Sequence, residues 1–368
     1  MIFFIFLHIH TILLYICRLI DDILEEMTLH LFNPEHDIAL AAHLAHFTAP
    51  HAARQLKADL CWLPALWAGA DDAVLVENAS YARKACSRLY KKLGHLVPLF
   101  VEREQLPQLD ITAVDPWGWD AALATDLQRW GVSADVMPDT TQLERYRQLS
   151  HRRTSAQLLP SLRIEGTVGE AVECASLEQV EDCMERWGQI VVKSPWSSSG
   201  RGVHFSLQKG WINNIIKQQG CVMVEPYYNK VKDFGMEFER DASGQIQYLG
   251  LSLFHTKNGA YIGNLLATEE AKREEMGRYV SLELLDEIKQ HIIDHAQLGD
   301  YQGPFGIDMM IVKEGVHPCV ELNLRRTMGH VALSMNPTDD DVRRVMRIEL
   351  NDHYKLRVTS LARSQQTL

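Results

Sequence analysis

The stretch "GPFGIDMMIVKEGVHPCVELNLRR", residues 303–326, constrains the fold more than any other part of the 368-residue chain. Two apolar-rich runs flank the pair Glu314-Gly315, the pattern of an antiparallel hairpin. With those two residues as the loop, Lys313 pairs with Val316; counting outward sets Asp308 opposite Glu321 and Gly306 opposite Asn323. Directly opposed residues share a face of the sheet, and two carboxylates so placed repel unless a cation joins them. Hard oxygen donors of this kind suit Mg²⁺ completed by phosphate oxygens. Pro318 could insert a bulge and spoil this register, and a carboxylate turned to solvent would remove the need for a cation.

A second stretch, "KSPWSSSGRGV", begins at Lys193, the last residue of the alternating run "QIVVK". Lys193 shares a strand face with Val191. Ser197, Ser198, Ser199, Gly200, Arg201 and Gly202 follow Pro195. Glycines let backbone N–H groups turn inward and hydroxyls add donors, which makes a nest for phosphate oxygens. The G-x-x-x-x-G-K-[ST] loop is absent, and a plain surface turn has the same composition.

The formal net charge of −11 excludes chain-wide nucleic-acid binding, so an anionic ligand needs a local basic site. The seven cysteines are scattered and never spaced C-x-x-C, against a disulfide framework or zinc site and for a reducing, cytoplasmic compartment. The opening "MIFFIFLHIHTILLYICRLI" has the length of a transmembrane helix. It lacks a preceding basic residue and a following small-residue cleavage pattern. The expectation is a non-native extension with Met27 as the start; a membrane anchor or a signal peptide are the alternatives.

From Met27 to about Val136 strand-like and helix-like segments alternate, which predicts a parallel sheet with helices on its faces. "TLHLFN", "KADLCWLPAL" and "DDAVLVEN" read as strands, and "SYARKACSRLYKKLG" as an amphipathic helix. Within "NPEHDIAL", His36 and Asp37 lie where a helix starts after a strand, a common ligand position and equally an ordinary helix start. Pro138 and Pro160 break a helical stretch. From about Gln189 short strands with Gly-rich turns and separate helices predict an α+β unit.

The ordered set "VVK", Ser/Gly-rich loop, "VMVEPYY", "GIDMMI", "VELNLRR" resembles the ATP-grasp superfamily over roughly residues 149–335. The resemblance implies an N-terminal parallel α/β domain (27–148) followed by an ATP-grasp domain (149–350, subdomains about 149–225 and 226–350). Residues 1–26 are then an extension and 351–368 a tail. It implies ATP with one or two Mg²⁺, or Mn²⁺. Lys193 would contact the α/β-phosphates, and Ser198, Ser199, Gly200 and Gly202 would form the loop over them. Glu225 and Tyr227 would lie at the adenine, Asp233 at the ribose, and Asp308, Glu321 and Asn323 at the metal. The family's further phosphate-binding lysine is missing; "LSHRRTSAQLL" offers Arg152 or Arg153 instead, and arginine holds phosphate bidentately. Arg325 and Arg326 are the expected catalytic cations, steadying the transferring phosphoryl group or the substrate carboxylate, while His330 equally serves as a cap. The implied reaction is ATP-dependent ligation of a small carboxylate to an amine through an acyl phosphate. An ATP-grasp phosphotransferase and an ATP-binding module with little turnover are the alternatives. No nucleic-acid partner is expected, nor a membrane unless residues 1–20 anchor the chain.

Overall fold

The computed structural model describes residues 26–93, 97–197, 202–257 and 260–361; for 88–93, 257 and 260 it describes the backbone course only. The expected phosphate-loop residues Ser198, Ser199 and Gly200, and the apolar opening segment, lie outside the described residues. Among the described residues no helix is long and apolar enough to cross a membrane.

Strands β1 (Met27–Leu31), β2 (Ala73–Leu75), β3 (Leu99–Val101) and β4 (Ile111–Pro116) form a parallel sheet in the order β3-β2-β1-β4. Its alternate residues are buried on both faces, Leu29 and Leu31 on one and His30 on the other, as expected of a sheet covered by helices. The chain order reverses between β1 and β4. The helix Ala121–Arg129 starts beside that point, its end capped by the Asp120 carboxylate on the Leu123 N–H.

"KADLCWLPAL" is not a strand. Residues His51–Leu60 are α-helical and Leu63–Leu66 a 3₁₀ turn. Leu56, Leu60 and Leu63 recur at helical spacing and pack inward together, which a short apolar run conceals.

The middle of the chain holds an antiparallel sheet of β5 (Val172–Cys174), β6 (Ile190–Lys193), β7 (Val203–His204) and β8 (Val222–Pro226), in the order β5-β8-β6-β7. Two helices, Leu177–Trp187 and Lys209–Gln219, pack their apolar stripes on it through Val180, Cys183, Ile212 and Ile215.

A second antiparallel sheet runs β10-β9-β13-β14, from β9 (Lys230–Arg240), β10 (Ile246–Ser252), β13 (Gly303–Val312) and β14 (Gly315–Asn323). Phe234, Met236 and Phe238 of β9 and Phe305, Ile307 and Met309 of β13 point into the largest core cluster. The intervening residues Gly235, Glu237, Gly306 and Asp308 therefore face the other way.

The expected pairs Asp308–Glu321 and Gly306–Asn323 are present, but the expected turn is not. Val312 pairs with Gly315, so the turn is Lys313-Glu314, and Lys313 does not pair with Val316. Between Asp308 and Met310 on β13, the partners jump from Glu321 to His317 on β14. That irregularity contains Pro318, which lacks the N–H a regular ladder requires. Its two extra residues offset the displaced turn and restore the register of the acidic pair.

The sequence pattern missed a fourth sheet, β11-β12-β15-β16, made of β11 (Phe254–Lys257), β12 (Ala260–Leu266), β15 (Arg344–Leu350) and β16 (Tyr354–Ser360). The expected tail after residue 350 is thus in part a strand, paired along its length with β15. Val345, Met346 and Leu266 are buried, and Leu266 and Met346 join a core shared with Trp62 and Trp117 of the parallel-sheet unit.

Candidate active site

The outward face of β13 and β14 carries Asp308, Glu321 and Asn323. Glu237 of β9 joins them, opposite Gly306. A side chain at Gly306 or Gly329 would overlap the Glu237 carboxylate, so both glycines make room for it. Burial raises the Asp308 carboxyl to about 8, aided by the negative charges of Glu321 and Glu237. Asn323 Nδ2 donates to Asp308 Oδ2 at 3.3 Å, the one side-chain hydrogen bond that carboxylate receives among the described residues.

Glu237 was not singled out from the sequence. Its Oε2 is buried without a hydrogen bond among the described residues. His330 Nδ1 lies 3.0 Å away, but it already accepts the Thr327 N–H at 3.1 Å, and Nε2 faces the Phe238 carbonyl at 3.3 Å. His330 thus completes a capping box at the start of the helix Met328–Leu333.

Two cations reach this face from the other antiparallel sheet and the helix before it. Arg152 is buried; Nη2 lies 2.6 Å from Glu321 Oε1, and Nη1 donates to the Ser194 carbonyl at 2.8 Å and to Ser197 Oγ at 2.5 Å. Its Nε is buried without a partner among the described residues. Lys193 ends β6 on the face that Glu225 shares, with Nζ 2.6 Å from Glu225 Oε1 and 3.3 Å from the carbonyl of Val320, the neighbour of Glu321. Gly202 is buried where the loop returns, its carbonyl accepting the Ser194 N–H at 2.8 Å; a Cβ there would strike Ser194 and Ser197.

Arg153 points elsewhere, gripping Glu173 with Nε at 2.9 Å and Nη2 at 2.5 Å. Of the two arginines left open by the sequence, Arg152 is the one beside the acidic hairpin. Among the described residues, the donor trio within 4.8 Å of one another is His151, Glu173 and Cys221. His151 Nδ1 accepts the Arg153 N–H at 2.9 Å, so the neutral ring carries its proton on Nε2, toward Cys221 Sγ at 3.5 Å. Burial pushes the Cys221 thiol up to about 12 and the His151 ring down to about 4. That trio is a hydrogen-bonded packing group with no bare nitrogen to give a metal.

On β9, Asp233 is held by Lys230 Nζ at 2.5 Å and Thr256 Oγ1 at 2.6 Å. Tyr227 is 41% exposed and packs edge-on to Phe205, its backbone N–H donating to the Gln189 carbonyl at 2.9 Å.

The two arginines after the hairpin differ. Arg325 sits at the acidic face, Nη2 2.9 Å from Asn323 Oδ1 and 2.9 Å from Asp37 Oδ2. Burial opposes ionisation of Asp37, but Arg325 and His36 hold its carboxyl below the usual range. Arg326 is turned to the parallel sheet. Nη2 lies 2.6 Å from Asp115 Oδ2, the guanidinium carbon sits over the Trp67 ring at 4.6 Å, and the backbone N–H donates to the Trp117 carbonyl at 2.8 Å. Against burial, Arg326 and His30 hold Asp115 down to about 2. A small cleft joins the pieces, lined by His36, Asp37, Arg152, Ser197, Glu321 and Asn323.

No family model and no curated protein matches the sequence. Solved structures do. The N5-carboxyaminoimidazole synthetase from Staphylococcus aureus, complexed with ADP, is 13% identical, with 88% of this chain and 82% of that one covered at a TM-score of 0.48. The biotin carboxylase domain of the Hydrogenobacter thermophilus 2-oxoglutarate carboxylase is 13% identical, covering 87% and 74% at 0.48. An Archaeoglobus fulgidus protein named for the ATP-grasp superfamily is 12% identical, covering 92% and 100% at 0.47. The chain is similar in general course, at low identity, to these proteins.

Proposed function

We propose that the chain is an ATP- and Mg²⁺-dependent ligase of the ATP-grasp kind that joins a small carboxylate to an amine. In this reading residues 27–148 form the preceding α/β domain and 149–350 the grasp. The observation that carries it is the convergence of Arg152 and Lys193, from one side of the cleft, on the hairpin face of Asp308, Glu321 and Asn323.

The donor set fits a hard divalent ion. Among the described residues Asp308 has no cation within ion-pair distance and is flanked by the carboxylates of Glu321 and Glu237, while Arg152 and Arg325 hold Glu321 and the Asn323 oxygen from the edges. Asp308, Glu321 and Asn323 would hold Mg²⁺, with Glu237 behind them. The ion would supply charge neutralisation for the β- and γ-phosphates. Arg152 and Lys193 exchange Glu321 and Glu225 for phosphate oxygens. Arg325 orients the substrate carboxylate, whose oxygen bonds to the γ-phosphorus as ADP leaves. The amine then adds to the acyl carbon and inorganic phosphate departs. Positioning and charge neutralisation are the protein's contribution.

The test is incubation with Mg-ATP and pairs of carboxylates and amines, following ADP, phosphate and amide. Ligation requires both co-substrates and yields all three products. Glu321→Ala is expected to abolish turnover while the chain stays folded. A stable phosphoester from one co-substrate would replace this reading with a phosphotransferase.

A further inference from the structure

A cavity of about 930 Å³ lies outside the cleft just described. It opens at the carboxyl ends of β1, β2 and β3, where Leu31, Leu75 and Glu102 line it, and is walled by the helix Ala121–Arg129. Ligands of open α/β sheets bind at such strand ends, and the volume is that of a small-molecule site.

On the inner wall Asp120 is buried, and Glu35 is mostly buried with one oxygen, Oε1, 2.7 Å from Lys57 Nζ. The other oxygen, Oε2, is buried with no hydrogen-bond partner among the described residues. A carboxylate oxygen held away from water without a donor is left unsatisfied, and a ligand N–H would relieve it. The Asp120 oxygens are already taken, by the Leu123 N–H at 2.9 Å and Asn33 at 3.3 Å.

The rim carries both signs, with Arg54, Arg103 and Arg129 interleaved with Glu77, Glu104 and Asp126. Arg54 is exposed and has no ion-pair partner among the described residues. Arg103 and Arg129 each touch only a solvent-exposed acid, Glu104 at 2.6 Å and Asp126 at 2.7 Å. Exposed pairs of this kind hold their members weakly, so the rim arginines are free to turn to an anion.

We infer that this cavity binds a small molecule with a cationic amine at one end and a phosphate or carboxylate at the other. The amine goes to Glu35 Oε2 at the floor and the anion to Arg54 and its neighbours at the rim. The site stands independently of the ligase reading: it requires neither ATP nor turnover.

The probe is O-phosphoethanolamine, titrated calorimetrically into the full chain, with ethanolamine and inorganic phosphate as single-ended controls. The two-ended probe is expected to bind at least tenfold more tightly than either control. Glu35→Gln and Arg54→Ala are each expected to weaken it tenfold or more, while the affinity for Mg-ATP stays unchanged. Arg54 is exposed, so its variant tests the rim without disturbing the fold. Absent binding, equal binding of phosphate alone, or full affinity in both variants overturns the inference. Binding that survives alongside failure of every ligase assay would overturn the ligase reading and leave this one standing.

Discussion

Arg325 lays its guanidinium along the carboxylate of Asp37, with Nε 3.0 Å from both oxygens, and so ties the strand end after the acidic hairpin to the first helix of the parallel-sheet unit. Both side chains are largely buried, at 14% and 19% exposure, so the pair is little screened. Asp37→Asn, Arg325→Gln and the double variant should therefore couple by about 1–3 kcal/mol in unfolding free energy. Additive single effects in denaturant titration would mean that the contact does not join the two units.

Asp308 carries a proton in the folded chain over a range where the unfolded chain does not, because its carboxyl is raised to about 8. The folded state then binds more protons between about pH 4 and 8, so stability without metal falls as pH rises through that window. Asp308→Asn should remove the slope and be more stable than wild type at pH 8, by about 1–3 kcal/mol. Urea unfolding of both proteins at pH 5 and 8, with chelator present, decides it.

Arg152 and Arg153 are adjacent in sequence and opposite in destination. Arg152→Ala is expected to weaken Mg-ATP binding tenfold or more, a loss of about 1.4 kcal/mol or above. Arg153→Ala should leave affinity within about threefold, because its partner Glu173 is half-exposed and outside the cleft. Equal losses in calorimetry would contradict the assignment.

Glu237 faces Asp308 from the neighbouring strand and was invisible as a site residue in the sequence. Glu237→Gln keeps the shape and removes the charge. It should raise the Mg²⁺ concentration needed for half-maximal ATP binding several-fold without changing the fold. An unaltered Mg²⁺ dependence would make Glu237 a packing group only.

Arg326 is expected to act through stability. Its removal leaves the part-buried Asp115 with His30 as its remaining ion-pair partner among the described residues, so Arg326→Ala should cost about 1–3 kcal/mol. The variant's melting curve at pH 7 checks this; an unchanged midpoint would return Arg326 to the list of catalytic candidates.

Local periodicity carried much of this architecture. The parallel sheet after Met27 and the Asp308–Glu321 pairing were both readable from it. The pairing was found by a count in which two departures offset each other, a displaced turn and a bulge at Pro318. Neither leaves a strong local signal. The sheet β11-β12-β15-β16 was missed because its strands meet across some eighty residues of chain, and such pairing is set by tertiary contact. Glu237 escaped for the same reason: its company on the acidic face comes from Gly306, Gly329 and Asp308, all distant in sequence. The fate of Arg326 depended on Trp67 and Asp115, again non-local.

The ion pairs Arg152–Glu321, Lys193–Glu225 and Lys230–Asp233 leave the empty cleft with little standing positive potential, inside a chain of net charge −11. A bare polyanion entering it would free carboxylates with nothing to balance them. On the ligase reading, a polyphosphate that arrives already chelated carries positive charge to set against the acids it displaces. On that same reading, a cleft balanced in this way would favour a nucleotide that arrives with its metal over the bare polyanion, before any base or sugar is read.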